Sequence, residues 1–137
     1  SDKFFRIYFK SKTKEYDYTG IHLKKNDFQY IVYSISGQKN MTFLECKKKS
    51  KSTEDEIKET LGVNYKSRTR EVKHTYDKTG ESVNLEIYFT KDNDNYWPVI
   101  ISCTNWSKKY EKKNFPDNLS ITLSSKVFSN FMFNEAY

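Results

Sequence analysis

The chain has 137 residues and a formal charge of +6 at pH 7. That length fits one domain and leaves little room for two. Leu, Ile, Val and Phe supply 31 residues, just above the roughly 20 % floor for an ordered core, and no run approaches the ~18 apolar residues that would span a bilayer. The chain opens at Ser1 without an initiator Met or a basic-then-apolar leader, the pattern of a trimmed or mature form.

A basic chain invites a nucleic-acid reading, and composition weakens it. Phe, Tyr, Met, Ile, Asn and Lys, whose codons are AT-rich, total 64 residues, against 10 for Gly, Ala, Arg and Pro. The skew points to an AT-rich genome, so the 21 Lys against 3 Arg follow from codon supply. Base and phosphate readers favour the planar Arg fork, and only Arg6, Arg68 and Arg70 could provide it. The lysines are also dispersed, as on a solvated surface.

One Ala and six Leu are poor helix material, whereas abundant Phe, Tyr, Ile and Thr suit strands. Lys3–Lys10 alternates with Phe5, Ile7 and Phe9 on one face. Thr19–Lys24 places Ile21 and Leu23 together. Phe28–Ser36 is apolar on both faces, the pattern of a covered central strand. Residues 36–40 then read as a turn and Met41–Lys47 as a returning strand. Thr53 followed by Glu56 forms a capping box, so a short helix is expected over about 53–61, with Ile57 and Leu61 facing the sheet and Gly62 as its stop.

Arg68–Asp77 and Ser82–Lys91 read as a hairpin. The turn Asp77-Lys78-Thr79-Gly80 joins them, with Gly80 placed for a positive φ. The face Val83, Leu85, Ile87, Phe89 should be the best protected. Asp92-Asn93-Asp94-Asn95 is a turn: it lacks the sixth-position Gly and twelfth-position Glu of a calcium loop. A strand follows Pro98, with Val99, Ile101 and Cys103 inward. Residues 105–118 form a loop with room for a helical turn that sets Trp106 and Tyr110 at i, i+4. Leu119, Ile121 and Leu123 alternate again. In the tail, Val127, Phe128, Phe131 and Met132 share a helical face capped by Ser124 or Ser125, while a strand would align Phe131 with Phe133. Both readings stay open. The expectation is one α+β domain over 1–137, with a mostly antiparallel sheet of seven to eight strands and one short helix packed on it.

No spacing of His, Cys or carboxylates resembles a metal site, and four glycines leave no phosphate cradle. No cofactor is expected. Cys46 and Cys103 fit either a disulfide or two buried thiols, and the three Asn-x-Ser/Thr sequons are near chance for this composition. A small ribonuclease-like site would need a base, an acid and cations around a phosphate. His74, Arg70, Glu71 and His22 are the candidates, although Arg70 and His74 point opposite to Glu71 on one strand. Tyr96, Trp97, Trp106, Tyr110 and Phe115, interleaved with Lys108 and Lys109, read either as caps on the open ends of the core or as a partner-binding rim, since Trp and Tyr dominate hot spots. The leading expectation is a non-enzymatic protein-binding module: an inhibitor, an immunity or antitoxin-type partner, or a secreted or envelope accessory protein. A basic RNA-binding or RNA-cleaving domain is the alternative. A secreted or cell-envelope setting is favoured over a cytoplasmic one.

Overall fold

A computed structural model of the chain describes residues 3–91 and 96–134, apart from the side chain of Phe133. The alternating stretches form seven strands: β1 (Phe4–Lys10), β2 (Tyr18–Lys24), β3 (Val32–Asn40), β4 (Lys66–Lys73), β5 (Val83–Thr90), β6 (Val99–Asn105) and β7 (Asn118–Ser124). Three helices interrupt them: α1 (Phe43–Leu61) after β3, α2 (Lys108–Glu111) after β6, and α3 (Lys126–Asn134) after β7. The strands pair antiparallel in the order β1-β2-β3-β7-β6-β5-β4. After the β1–β3 meander, α1 carries the chain to the far edge. The strands then return until β7 closes beside β3. The α+β class and the antiparallel sheet follow the sequence, and of the two readings of the tail the structure adopts the helix, α3.

Strand register sorts the side chains into two unlike faces. Odd-numbered residues of the inner strands make an apolar face: Leu119 opposes Cys103, and Ile101 lies between Ile87 and Ile121. α1 packs on it, and Cys46, Ile87, Phe89, Val99, Ile101, Cys103 and Leu119 form the core. Cys46 and Cys103 are joined in a disulfide that fixes the N-terminal part of α1 to β6. Even-numbered residues make a polar face: Gln38, Ser120, Ser102 and Glu86 stand in one row, and Asn40, Asn118, Thr104 and Asn84 in the next. α3 covers one end of that face, where Phe128 and Phe131 pack on Phe4. Ser125 Oγ accepts the Phe128 N–H and caps α3.

Three expectations about the first half are corrected. Residues 36–40 continue β3 instead of turning, and Met41–Lys47 is not a strand. The helix starts at Phe43, ten residues before Thr53, and its capping box is Thr42 with Glu45. The lysine run 47–51 therefore lies within α1. Gly62 does end the helix, at φ +80°. Phe28 and Tyr30 do not line a covered strand. Asn26 and Tyr30 adopt positive φ and Asp27 Oδ1 accepts the Gln29 N–H, so turn chemistry holds these residues in the β2–β3 loop, where Phe28 is 88 % exposed. The β5 face contributes Ile87 and Phe89 to the core, but Ile101 and Cys103 of β6 are buried as deeply. Residues 92–95, read as a turn, lie outside the described residues.

Candidate functional site: a polar trough with an aromatic group at each end

The polar face is concave. Arg6 of β1 and Arg70 of β4, the two edge strands, line one cavity of about 320 Å³, with His22, Glu86, Trp97, Ser102 and Phe128 among its other walls. A second cavity of about 560 Å³ shares Arg6 and Ser102 with it and runs on to His74, Tyr76 and Trp106. The two make one trough floored by β6 and β7. Hydroxyls of Ser102, Thr104, Ser120 and Thr122 furnish that floor, and α3 walls one end.

β6 positions both tryptophans. Trp97 precedes the strand and Trp106 follows it, so they stand at its opposite ends. The Trp97 ring stacks on Tyr88, with centroids 4.1 Å apart, and Arg70 lies 4.6 Å over it. The Arg70 Nε–H donates to Glu86 Oε2 at 2.8 Å, which fixes the guanidinium against that stack. The Trp97 backbone N–H donates to Ser129 Oγ and ties this corner to α3.

At the other end, Trp106 gathers His74 (4.2 Å), Phe115 (5.0 Å) and Tyr110 (5.4 Å), while Tyr76 stacks on Phe115. Asp77 anchors this group. Its two oxygens accept from the N–H and hydroxyl of both Thr79 and Ser82, and Ser82 Oγ accepts the Ser107 N–H. Burial alone would raise the Asp77 pKa, but the bonds from Ser82 and Thr79 outweigh it and hold the carboxyl ionised well below the usual range. The β4–β5 turn, with Gly80 at φ +74°, is thereby fastened to the corner that carries Trp106.

Both histidines face the trough. The Arg6 Nε–H donates to His22 Nε2 at 3.0 Å, which places the ring proton on Nδ1. That atom is buried without an acceptor among the described residues. Burial, with the Arg6 charge beside it, pushes the His22 pKa down to about 4. Burial also lowers His74, against the opposing pull of Asp77 and Glu86. Both rings are neutral at pH 7.

Of the residues singled out from sequence, Trp106, Tyr110 and Phe115 meet in one cluster, while Trp97 stands at the far end of the trough. Tyr96 is separated from them: it lines a depression with Leu61, Pro98 and Leu123, and its hydroxyl donates to the Ser124 carbonyl. Lys108 and Lys109 are exposed on α2. His22, Arg70 and His74 share the trough. Glu71 lies on the opposite side of the sheet, and Glu86 is the carboxylate beside Arg70. Sequence reading named Arg6 only as one of three possible phosphate readers, and it missed Tyr8, Tyr76 and the hydroxyl floor. The signal for the floor was present: β6 and β7 alternate apolar residues with Ser, Thr and Asn, but such a face reads as solvent-facing until α3 is seen to wall it.

Among the described residues, no cluster of His, Cys, Asp and Glu could hold a metal ion, and no helix is long and apolar enough to cross a membrane. Comparison with protein-family models, curated proteins and solved structures gives no match.

Proposed function

We propose that the chain is a non-enzymatic binding module that holds a segment of another protein in this trough. The observation that carries the reading is the pair of aromatic groups at the two ends of β6, with hydrogen-bonding side chains and Arg6 between them and Arg70 over the Trp97 ring. Trp97 and Trp106 are nine residues apart, or about 30 Å along an extended strand, which suits an extended segment of several residues. Desolvated Trp and Arg anchors provide the strongest contacts in protein interfaces. Hydroxyls and amides on the floor can pair with a bound backbone. Arg6 has no carboxylate partner among the described residues, so an acidic group on the segment suits the stretch beside Arg6, where the two cavities meet.

A second reading, an RNA-binding or RNA-cleaving domain, is supported by Arg6, Arg70, His22 and His74 sharing one concavity. Two neutral histidines supply a base and no acid at pH 7, which favours binding over cleavage. Selection from a peptide display library on the full chain, counter-selected on Trp106→Ala, separates the two. Peptides that need Trp106 and Arg6 and tolerate added salt support the protein-binding reading. No enriched peptide, with a single-stranded RNA oligonucleotide bound and steeply lost as salt rises, replaces it with the second.

A further inference from the structure

The two edges of the sheet are unlike. β4 reads KSRTREVK, with five charged residues in eight, the usual protection of an exposed edge. β1 reads FFRIYFK. Its Phe5, Ile7 and Phe9 are 38, 41 and 48 % exposed. They continue a row, Ile7–Ile21–Ile35–Leu123, that extends beyond the strands α1 packs against. From these edges we infer that β1 is a self-pairing strand, which joins two copies of this chain through an antiparallel β1–β1 contact about a two-fold axis. The inference is independent of the trough reading.

Hydrogen-bond parity and charge select one register. The Lys25 N–H donates to the Lys3 carbonyl and the Ser11 N–H to the Asp17 carbonyl, each at 2.9 Å. Both bonds lie on the β1–β2 ladder, so odd-numbered residues of β1 bond to β2. The even-numbered residues Arg6, Tyr8 and Lys10 direct their N–H and C=O outward. A second copy can therefore pair only even residue to even residue. Centred on Ile7, Arg6 faces Tyr8 of the second copy, Phe5 faces its Phe9, and Ile7 faces its Ile7. No like charges are opposed. A shift one way sets Arg6 against Arg6, and the other way sets Arg6 against Lys10; both are unfavourable. A head-to-tail filament is disfavoured as well, because it would lay Arg6 and Lys10 along the cations of β4. The two-fold pair is the closed solution.

In this register Ile7 meets its twin at a non-hydrogen-bonded position, where Cα atoms lie about 4.5 Å apart, within disulfide reach. Both native cysteines are already bonded to each other. The test oxidises Ile7→Cys and Ile35→Cys in the full chain. It also weighs the wild type by light scattering at high micromolar concentration. Expected are a covalent dimer from Ile7→Cys, little from Ile35→Cys, and a wild-type mass twice the 16.4 kDa of one chain. Tyr8→Pro removes one outward N–H while sparing the β1–β2 ladder, so it should be monomeric with an unchanged circular dichroism spectrum. If that variant loses its hairpin, Ile7→Lys, which sets two ammoniums face to face, is weighed instead. A wild type of single-chain mass, or equal cross-linking at positions 7 and 35, overturns the inference.

Discussion

Arg6 and Arg70 stand on opposite edge strands of a seven-stranded sheet and still line one cavity. In a flat sheet, six steps of ~4.8 Å would hold the two edges about 29 Å apart. The sheet coils instead, as right-handed strand twist demands, and curls its polar face inward. One guanidinium is neutralised by Glu86, and the other bonds to His22 and Tyr8. The concavity therefore carries net positive charge from the edges and hydrogen-bonding capacity from the centre.

Trp106→Ala should weaken a cognate partner about thirtyfold, on the scale of ~2 kcal/mol for a buried hot spot. Lys108→Gln with Lys109→Gln should leave affinity nearly unchanged and slow association modestly, because hydrated surface lysines act mainly on encounter. Titration calorimetry and stopped-flow association report the two effects, with a thermal melt to confirm that the variants fold. Essential lysines beside a silent Trp106 would count against the trough.

Thr42→Ala should cost about 1 kcal/mol by removing the α1 cap. Thr42 Oγ1 accepts the Glu45 N–H while the Glu45 carboxylate accepts the Thr42 N–H at 2.9 Å. Urea denaturation reads the change, and an unshifted midpoint means that the reciprocal cap contributes nothing.

Stability should fall as the solution is acidified from about pH 6.5 to about pH 4. His22 is neutral in the fold because burial and Arg6 push its pKa down to about 4, whereas an unfolded His titrates near ~6.5. Between those values the unfolded chain binds a proton that the fold refuses, so stability is full above the upper limit and declines toward the lower one. His74 is shifted in the same direction. His22→Gln should flatten this part of the urea-derived stability profile, and equal slopes in both proteins would remove His22 as a cause.

Cys46→Ser with Cys103→Ser should destabilise the fold by about 4 kcal/mol, the loop-entropy value for a separation of 57 residues. Denaturation of the native protein with and without reductant should give the same difference. A loss below about 1 kcal/mol would place the stability of α1 in packing alone.

The strands were legible because burial on one side leaves a two-residue period. That period puts Val99, Ile101 and Cys103 on one face with no knowledge of the fold, whereas their cross-strand partners, Ile87 and Ile121 for Ile101, come only from the register. α1 was half hidden because its buried stripe is polar in the middle. Ser50, Thr53 and Glu54 are buried between Cys46 and Ile57, so hydrophobicity lost the helical period where the lysine run began. Glu54 tolerates burial because Lys51, Lys58 and Ser67 all bond its carboxylate, partners that the sequence separates by up to 13 residues. The β2–β3 loop was misread for the converse reason: Phe28 and Tyr30 are apolar yet exposed, and Asn26-Asp27 turn chemistry outranks them. The trough was least legible, because it assembles residues from both edges of a sheet whose coil no local pattern encodes.

The bond between Cys46 and Cys103 also decides how far the molecule can be stretched. Pulled from its two ends, the oxidised chain passes tension through β1–β3, across the link and on into β7 and α3. The segment holding α1, β4, β5 and β6 is bypassed. About 200 Å of contour, 57 residues at ~3.3–3.6 Å each, stays locked away. Reduction would release it, so the redox state sets the extensibility of this protein under load.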